Sequence, residues 1–72
     1  LVFRGTPLSA VARTLERWYD AEVALADTAL AARRLDAAFD GEPLPRVART
    51  IAAALEIGVQ VDAQRVTFTH PE

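Results

Sequence analysis

The sequence predicts an α+β domain of two βαβ repeats, in which two helices pack between two small sheets in the order β-α-β-β-α-β-β. Three observations lead there. The segment Phe3-Arg4-Gly5-Thr6-Pro7-Leu8-Ser9-Ala10-Val11-Ala12-Arg13-Thr14-Leu15 returns 36 residues later as Phe39-Asp40-Gly41-Glu42-Pro43-Leu44-Pro45-Arg46-Val47-Ala48-Arg49-Thr50-Ile51, with eight identities in thirteen. Gly and Pro divide each copy into a short alternating stretch and a longer stretch of helical period, and the pairs Val23/Leu25 and Val59/Val61 follow at the same offset. A period of this size calls for a repeat reading, but Gly5, Pro7, Gly41 and Pro43 interrupt each copy where an all-helical repeat would place its second helix. Residues 1–72 are therefore expected to form one domain, built from repeats 1–26 and 33–62 with a terminal strand at 64–70.

Leu1 to Gly5 reads as a short strand, with Leu1 and Phe3 on one side and Val2 and Arg4 on the other. Thr6 is placed to cap the helix that follows, and Pro7 to occupy its first position, where a missing N–H costs nothing. That helix should run to about Tyr19, burying Leu8, Val11, Ala12, Leu15, Trp18 and Tyr19 and wetting Ser9, Arg13, Glu16 and Arg17. Glu22 to Ala26 alternates about Val23 and Leu25 as a half-buried strand does. Asp27 then caps a single helical turn that inserts Leu30 into the core. Arg33 to Asp40 alternates with Leu35, Ala37 and Phe39 inward. Pro43 and Pro45 fit the first turn of a second helix, whose buried stripe is Leu44, Val47, Ala48, Ile51 and Leu55. Gly58 ends the helical pattern, and Val59 and Val61 open a strand that turns near Asp62-Ala63-Gln64 into Arg65 to His70, with Val66 and Phe68 on the core side.

Composition narrows the chemistry. Net charge is −2, and the eight basic residues are all Arg, scattered from Arg4 to Arg65 rather than aligned as a phosphate-tracking stripe. Nucleic acid is not an expected partner. Without Cys there is no disulfide framework or thiolate metal site. The chain starts at Leu1, shows no charged segment leading into an apolar one, and has no apolar run near 18 residues. The expectation is an excised segment or one whose targeting sequence has been removed, with no membrane insertion of its own. His70 stands alone near the end as a solvated tail residue, Ser9 has no assignable base, and Asp36 and Asp40 lie about 13 Å apart by strand rise, too far to share a proton. No catalytic, cofactor-binding or metal-ligating residue is expected, and so small a core cannot enclose a cofactor pocket.

A binding surface is the better expectation. The last strand, read as a sheet edge, would leave backbone groups unpaired beside Val66 to Thr69, so that a partner strand could add there with Arg65, Thr67 and Thr69 setting register. Val2 faces outward and could extend such a patch. The candidate partner-binding residues are thus Val2, Arg65, Val66, Thr67, Phe68 and Thr69.

Pro7-Leu8 through Leu15-Glu16-Arg17-Trp18-Tyr19, Asp27 with Leu30-Ala31, the strand ending at Phe39, and Leu44 with Val47 together resemble a known pattern. It is that of the C-terminal periplasmic domain of FecR-like sigma-factor regulators, itself similar to the short N-terminal (STN) signalling domain of TonB-dependent transducers and secretins. The Leu-Glu-Arg-Trp-Tyr run and the second Phe-x-Gly unit fit the FecR-like form better. The resemblance implies the periplasmic end of an inner-membrane protein whose cytoplasmic segment holds a sigma factor. Its partner would be the signalling domain of a TonB-dependent outer-membrane transporter. The alternative is an STN-type module of a secretin or transducer. An upstream transmembrane helix would mark the first, and a downstream barrel or further secretin modules the second.

Overall fold

The computed structural model describes residues 1–70. Its elements are strand β1 (Val2–Pro7), helix α1 (Leu8–Tyr19), strand β2 (Glu22–Leu25), a 3-10 turn (Thr28–Ala32), strand β3 (Arg34–Ala38), helix α2 (Leu44–Leu55) and strands β4 (Gly58–Asp62) and β5 (Arg65–Thr69). The α+β class and the element order are those the sequence predicts. β1 pairs antiparallel with β3 in one sheet, and the other has the order β2-β5-β4. Each helix leaves a strand of the first sheet and enters a strand of the second, packing against both.

The echo in sequence is an echo in space. Both helices are 12 residues long and begin 36 positions apart. Phe3/Phe39, Leu8/Leu44, Val11/Val47, Ala12/Ala48 and Leu15/Ile51 are buried in both copies, within one shared core. The Phe3 and Phe39 rings meet edge to face, centroids 6.4 Å apart, an arrangement in which the positive rim of one ring faces the negative face of the other. Gly5 and Gly41 have φ of 57° and 68°, a region that costs a residue with a Cβ roughly 1–2 kcal/mol. Both helices also end alike, on a left-handed residue, Asp20 or Glu56. The next amide, of Ala21 or Ile57, reaches back to the carbonyl of Glu16 or Ala52, the bond that defines a Schellman end.

The start of α1 differs from expectation. β1 continues through Thr6, and Pro7 itself occupies the N-cap, without a side-chain cap. The reason is a bulge: the β1–β3 register shifts between Phe3 and Thr6, and positive φ at Gly5 turns the strand. Side chains from β3 satisfy the backbone groups displaced from the ladder. Asp36 Oδ1 accepts the Gly5 N–H at 2.7 Å and Arg34 Nη1 donates to the Gly5 carbonyl at 2.7 Å. The Thr6 hydroxyl accepts from the Arg4 N–H, and the first helical amide, Leu8 N–H, goes to the Arg33 carbonyl at 2.7 Å. The residue just before β3 thus does the work of the missing cap.

A second difference concerns β5, which is central and not an edge: it runs parallel to β2 and antiparallel to β4. Its core-facing side chains, Val66 and Phe68, are fully buried. They align with Val23 and Leu25 on one side and with Val61 and Val59 on the other, so the middle position is where the most apolar surface leaves water.

Candidate interaction surface

Sheet order decides which strand edges a partner could reach. With β5 enclosed, the outer strands of its sheet are β2 and β4. The amides of Glu22 and Ala26 point to β5, bonding to Gln64 and Phe68 carbonyls at 2.9 Å each, so alternation sends the Val23 amide the other way. Glu16 of α1 meets it there, its Oε2 accepting the Val23 N–H at 3.1 Å. One free amide on the β2 edge is therefore covered by a charged side chain, a common protection against unwanted pairing.

The residues expected to bind a partner divide into two groups. Val66 and Phe68 are core and offer nothing to a partner's side chains. The strand-addition route through β5 is closed, because β2 and β4 already occupy both of its edges. Arg65, Thr67 and Thr69 lie on the sheet's outer face, where Arg65 pairs with Glu22 directly across the strands at 2.8 Å. That pair is well exposed, and such pairs contribute only about 0.2–1 kcal/mol. Val2 is 65% exposed on the first sheet, opposite Ala38, and so belongs to a different sheet from Arg65, Thr67 and Thr69.

Beside the start of β2, Asp20, Ala21, Glu22, Asp62, Ala63, Gln64 and Arg65 line a shallow open groove. Three of these seven are acidic. Among the described residues no charged or polar side chain is buried, so the charged chemistry of this domain lies at its surface.

The sequence profile of the family described as FecR, C-terminal, matches residues 1–68. The chain belongs to that family. Two crystal structures from Parabacteroides distasonis, each described as that of an anti-sigma factor, match all of it, with TM-scores of 0.86 and 0.84 at 25% and 26% identity. The chain spans 34% of the length of each of those proteins. A comparison with curated proteins finds no match.

In this FecR C-terminal domain the aromatic pair at the end of α1 splits. Tyr19 packs against the core and its hydroxyl donates to the Glu42 carbonyl at 2.6 Å, tying α1 to the loop before α2. Burial and the nearby Glu42 charge raise the phenol above its ordinary pKa. Trp18 is instead 66% exposed, against the expectation that it joins the buried stripe. The buried positions of α1 are Leu8, Val11, Ala12 and Leu15, and Trp18 falls just off that arc. The repeat itself carried the signal, since the matching residue of the second copy is Ala54, a position with no large side chain to bury.

His70 also differs from a bare solvated tail, for its Nε2 meets Asp27 Oδ2. Asp27 caps the 3-10 turn as expected, Oδ1 accepting the Ala29 N–H at 2.7 Å. The Ala29 amide first, and His70 second, hold the Asp27 carboxyl below its usual pKa.

Proposed function

We propose that this domain is the periplasmic signal-receiving end of a FecR-like transmembrane anti-sigma regulator, and that it binds the signalling domain of a TonB-dependent outer-membrane transporter. The observation that carries the reading is the FecR C-terminal match over residues 1–68. The whole-chain likeness to the anti-sigma factor structures supports it. Among the described residues no helix is long and apolar enough to cross a membrane, as suits a domain that meets its partner on one side of one.

The chemistry required is recognition. A ligand can shift an equilibrium only by its differential affinity for two states. Substrate arrival at the transporter therefore has to change how its signalling domain presents itself to this surface. Coupling of this kind typically amounts to about 1–3 kcal/mol, enough to alter occupancy of a transient contact without remaking the fold.

The test is titration of the signalling domain of a TonB-dependent transporter from the same genome into the isotope-labelled domain. Backbone shifts clustered on one face, with a Kd on the order of micromolar, are expected. Scattered shifts, or none with any such domain from that genome, sink the receptor reading.

A further inference from the structure

We propose that the exposed side of the last turns of α1, where Trp18 stands at the edge of the buried stripe and Arg17 and Arg13 lie farther round the helix, is where this domain docks, and that its occupant is an acidic protein surface with an apolar slot for the indole. The proposal rests on the receptor reading above and deepens it by naming the surface and its partner's chemistry.

The internal duplication provides a control within one chain. Arg17 and Trp18 correspond to Ala53 and Ala54, and all four positions are exposed. The second copy folds onto the same core with two methyl groups there, so neither the guanidinium nor the indole is needed to form such a helix. The helix end does not account for both. Arg17 stands in the last turn of α1, where a cation is stabilised by the helix dipole, but an indole gains nothing from that field. An exposed Trp costs solvation without contributing to the core, and Trp and Arg are the residues most enriched where binding energy concentrates.

Charge decides what covers it. Arg13 and Arg17 are one turn apart on the same face. Other arginines are engaged by the fold: Arg33 holds the Leu55 carbonyl at the end of α2, Arg34 the Gly5 carbonyl and Arg65 the Glu22 carboxylate. Among the described residues Arg13 and Arg17 make no ion pair, and neither do Arg4, Arg46 and Arg49, but of the two helices only α1 also carries an exposed large apolar side chain. Arg17, next to Trp18 in the chain, and Arg13 one turn before Arg17 match carboxylates placed to one side of an apolar slot. Asp20 and Glu22 lie just past the helix end and the chain's net charge is −2, which disfavours a uniformly anionic lipid surface or a nucleic-acid backbone.

The experiment replaces the first copy's residues with those of the second, as Trp18→Ala, Arg17→Ala and the pair together. The urea midpoint should stay unchanged for all three. Binding of the transporter signalling domain should weaken at least about tenfold for Trp18→Ala, the loss expected at a hot spot, and further for the double variant. Arg13→Ala should lower the salt dependence of the affinity. Trp18 is the sole Trp of the chain, so 5-fluorotryptophan labelling should give one fluorine signal that moves on binding. If the signalling domain binds the double variant as tightly as the wild type, or the fluorine signal stays still, this surface is wrong while the receptor reading stands. If no signalling domain binds the wild type, both fall. Trp18-dependent binding to phosphatidylglycerol vesicles or to duplex DNA, or Trp18-dependent self-association, in place of the signalling domain would also overturn the proposal.

Discussion

Single groups at the surface of this domain have consequences that titration can expose. Tyr19 is neutral in the fold, with burial and Glu42 both opposing its ionisation. Its folded pKa is raised, so the stability it contributes is fully present below about pH 10, the unfolded value, and is lost as pH rises through the folded one. Tyr19→Phe should cost about 1 kcal/mol at pH 7 through the lost bond to the Glu42 carbonyl, and should flatten the alkaline decline in urea midpoint. An equally steep decline in the variant would mean another group governs it. Asp27 has the opposite sign. Its folded pKa is depressed, so its contribution is present above about pH 4 and is lost as pH falls through the lowered value. Asp27→Asn should lower the neutral-pH midpoint and remove part of the acid-side loss, measured by circular dichroism in urea at pH 3 and pH 7. The pairing with His70 lay beyond sequence reading, because 43 residues separate partners that only the β2–β5 alignment brings together.

At the scale of elements, both helices stop on a left-handed residue that is not glycine. The matching offsets of Asp20 and Glu56 show that the stop belongs to the repeat unit, while the residue type is poorly suited to it. Asp20→Gly and Glu56→Gly should each stabilise by roughly 0.5–1 kcal/mol, since relief of left-handed strain exceeds the added freedom of the unfolded chain. Thermal denaturation would show it, and a loss at either position would mean that the acidic side chain does something there beyond ending the helix. Gly41 sits in the same region with open space around it, so Gly41→Ala should cost about 1 kcal/mol through backbone strain alone. The helices were legible because Leu, Val and Ala recur at helical spacing between proline and the next strand. Trp18 was misread because the stripe was drawn too wide: at 3.6 residues per turn it lies only about 20° beyond Val11, yet in the last turn of α1 that is already past the edge of what the core covers. Thr6 was misread because a serine or threonine before a helix usually caps it, whereas here the Arg33 carbonyl takes the first amide.

For the whole molecule, stability has to come from contacts between the repeats. The first sheet joins β1 of one copy to β3 of the other, and the Phe3–Phe39 contact spans the same divide. A chain of this size has roughly 4–10 kcal/mol of net stability to lose. Leu15→Ala, at a position with no exposure, should cost about 2–5 kcal/mol and leave much of the population unfolded in mild urea; a cost below about 1 kcal/mol would mean the helix face is wrongly assigned. Residues 1–32 and 33–72 made separately should each lack a cooperative transition, and a folded half would show that the halves are independent. By itself the sequence determined the doubling, the class of each element, the buried stripes and the resemblance to FecR regulators, because these follow from residue type and spacing along the chain. Only the tertiary structure decided that β5 lies between β2 and β4, that β3 side chains close the Gly5 bulge, and that Trp18 faces water. Those outcomes depend on which distant segments compete to remove apolar surface from solvent, and alternation within a strand says which face is buried without saying which strand lies beside it.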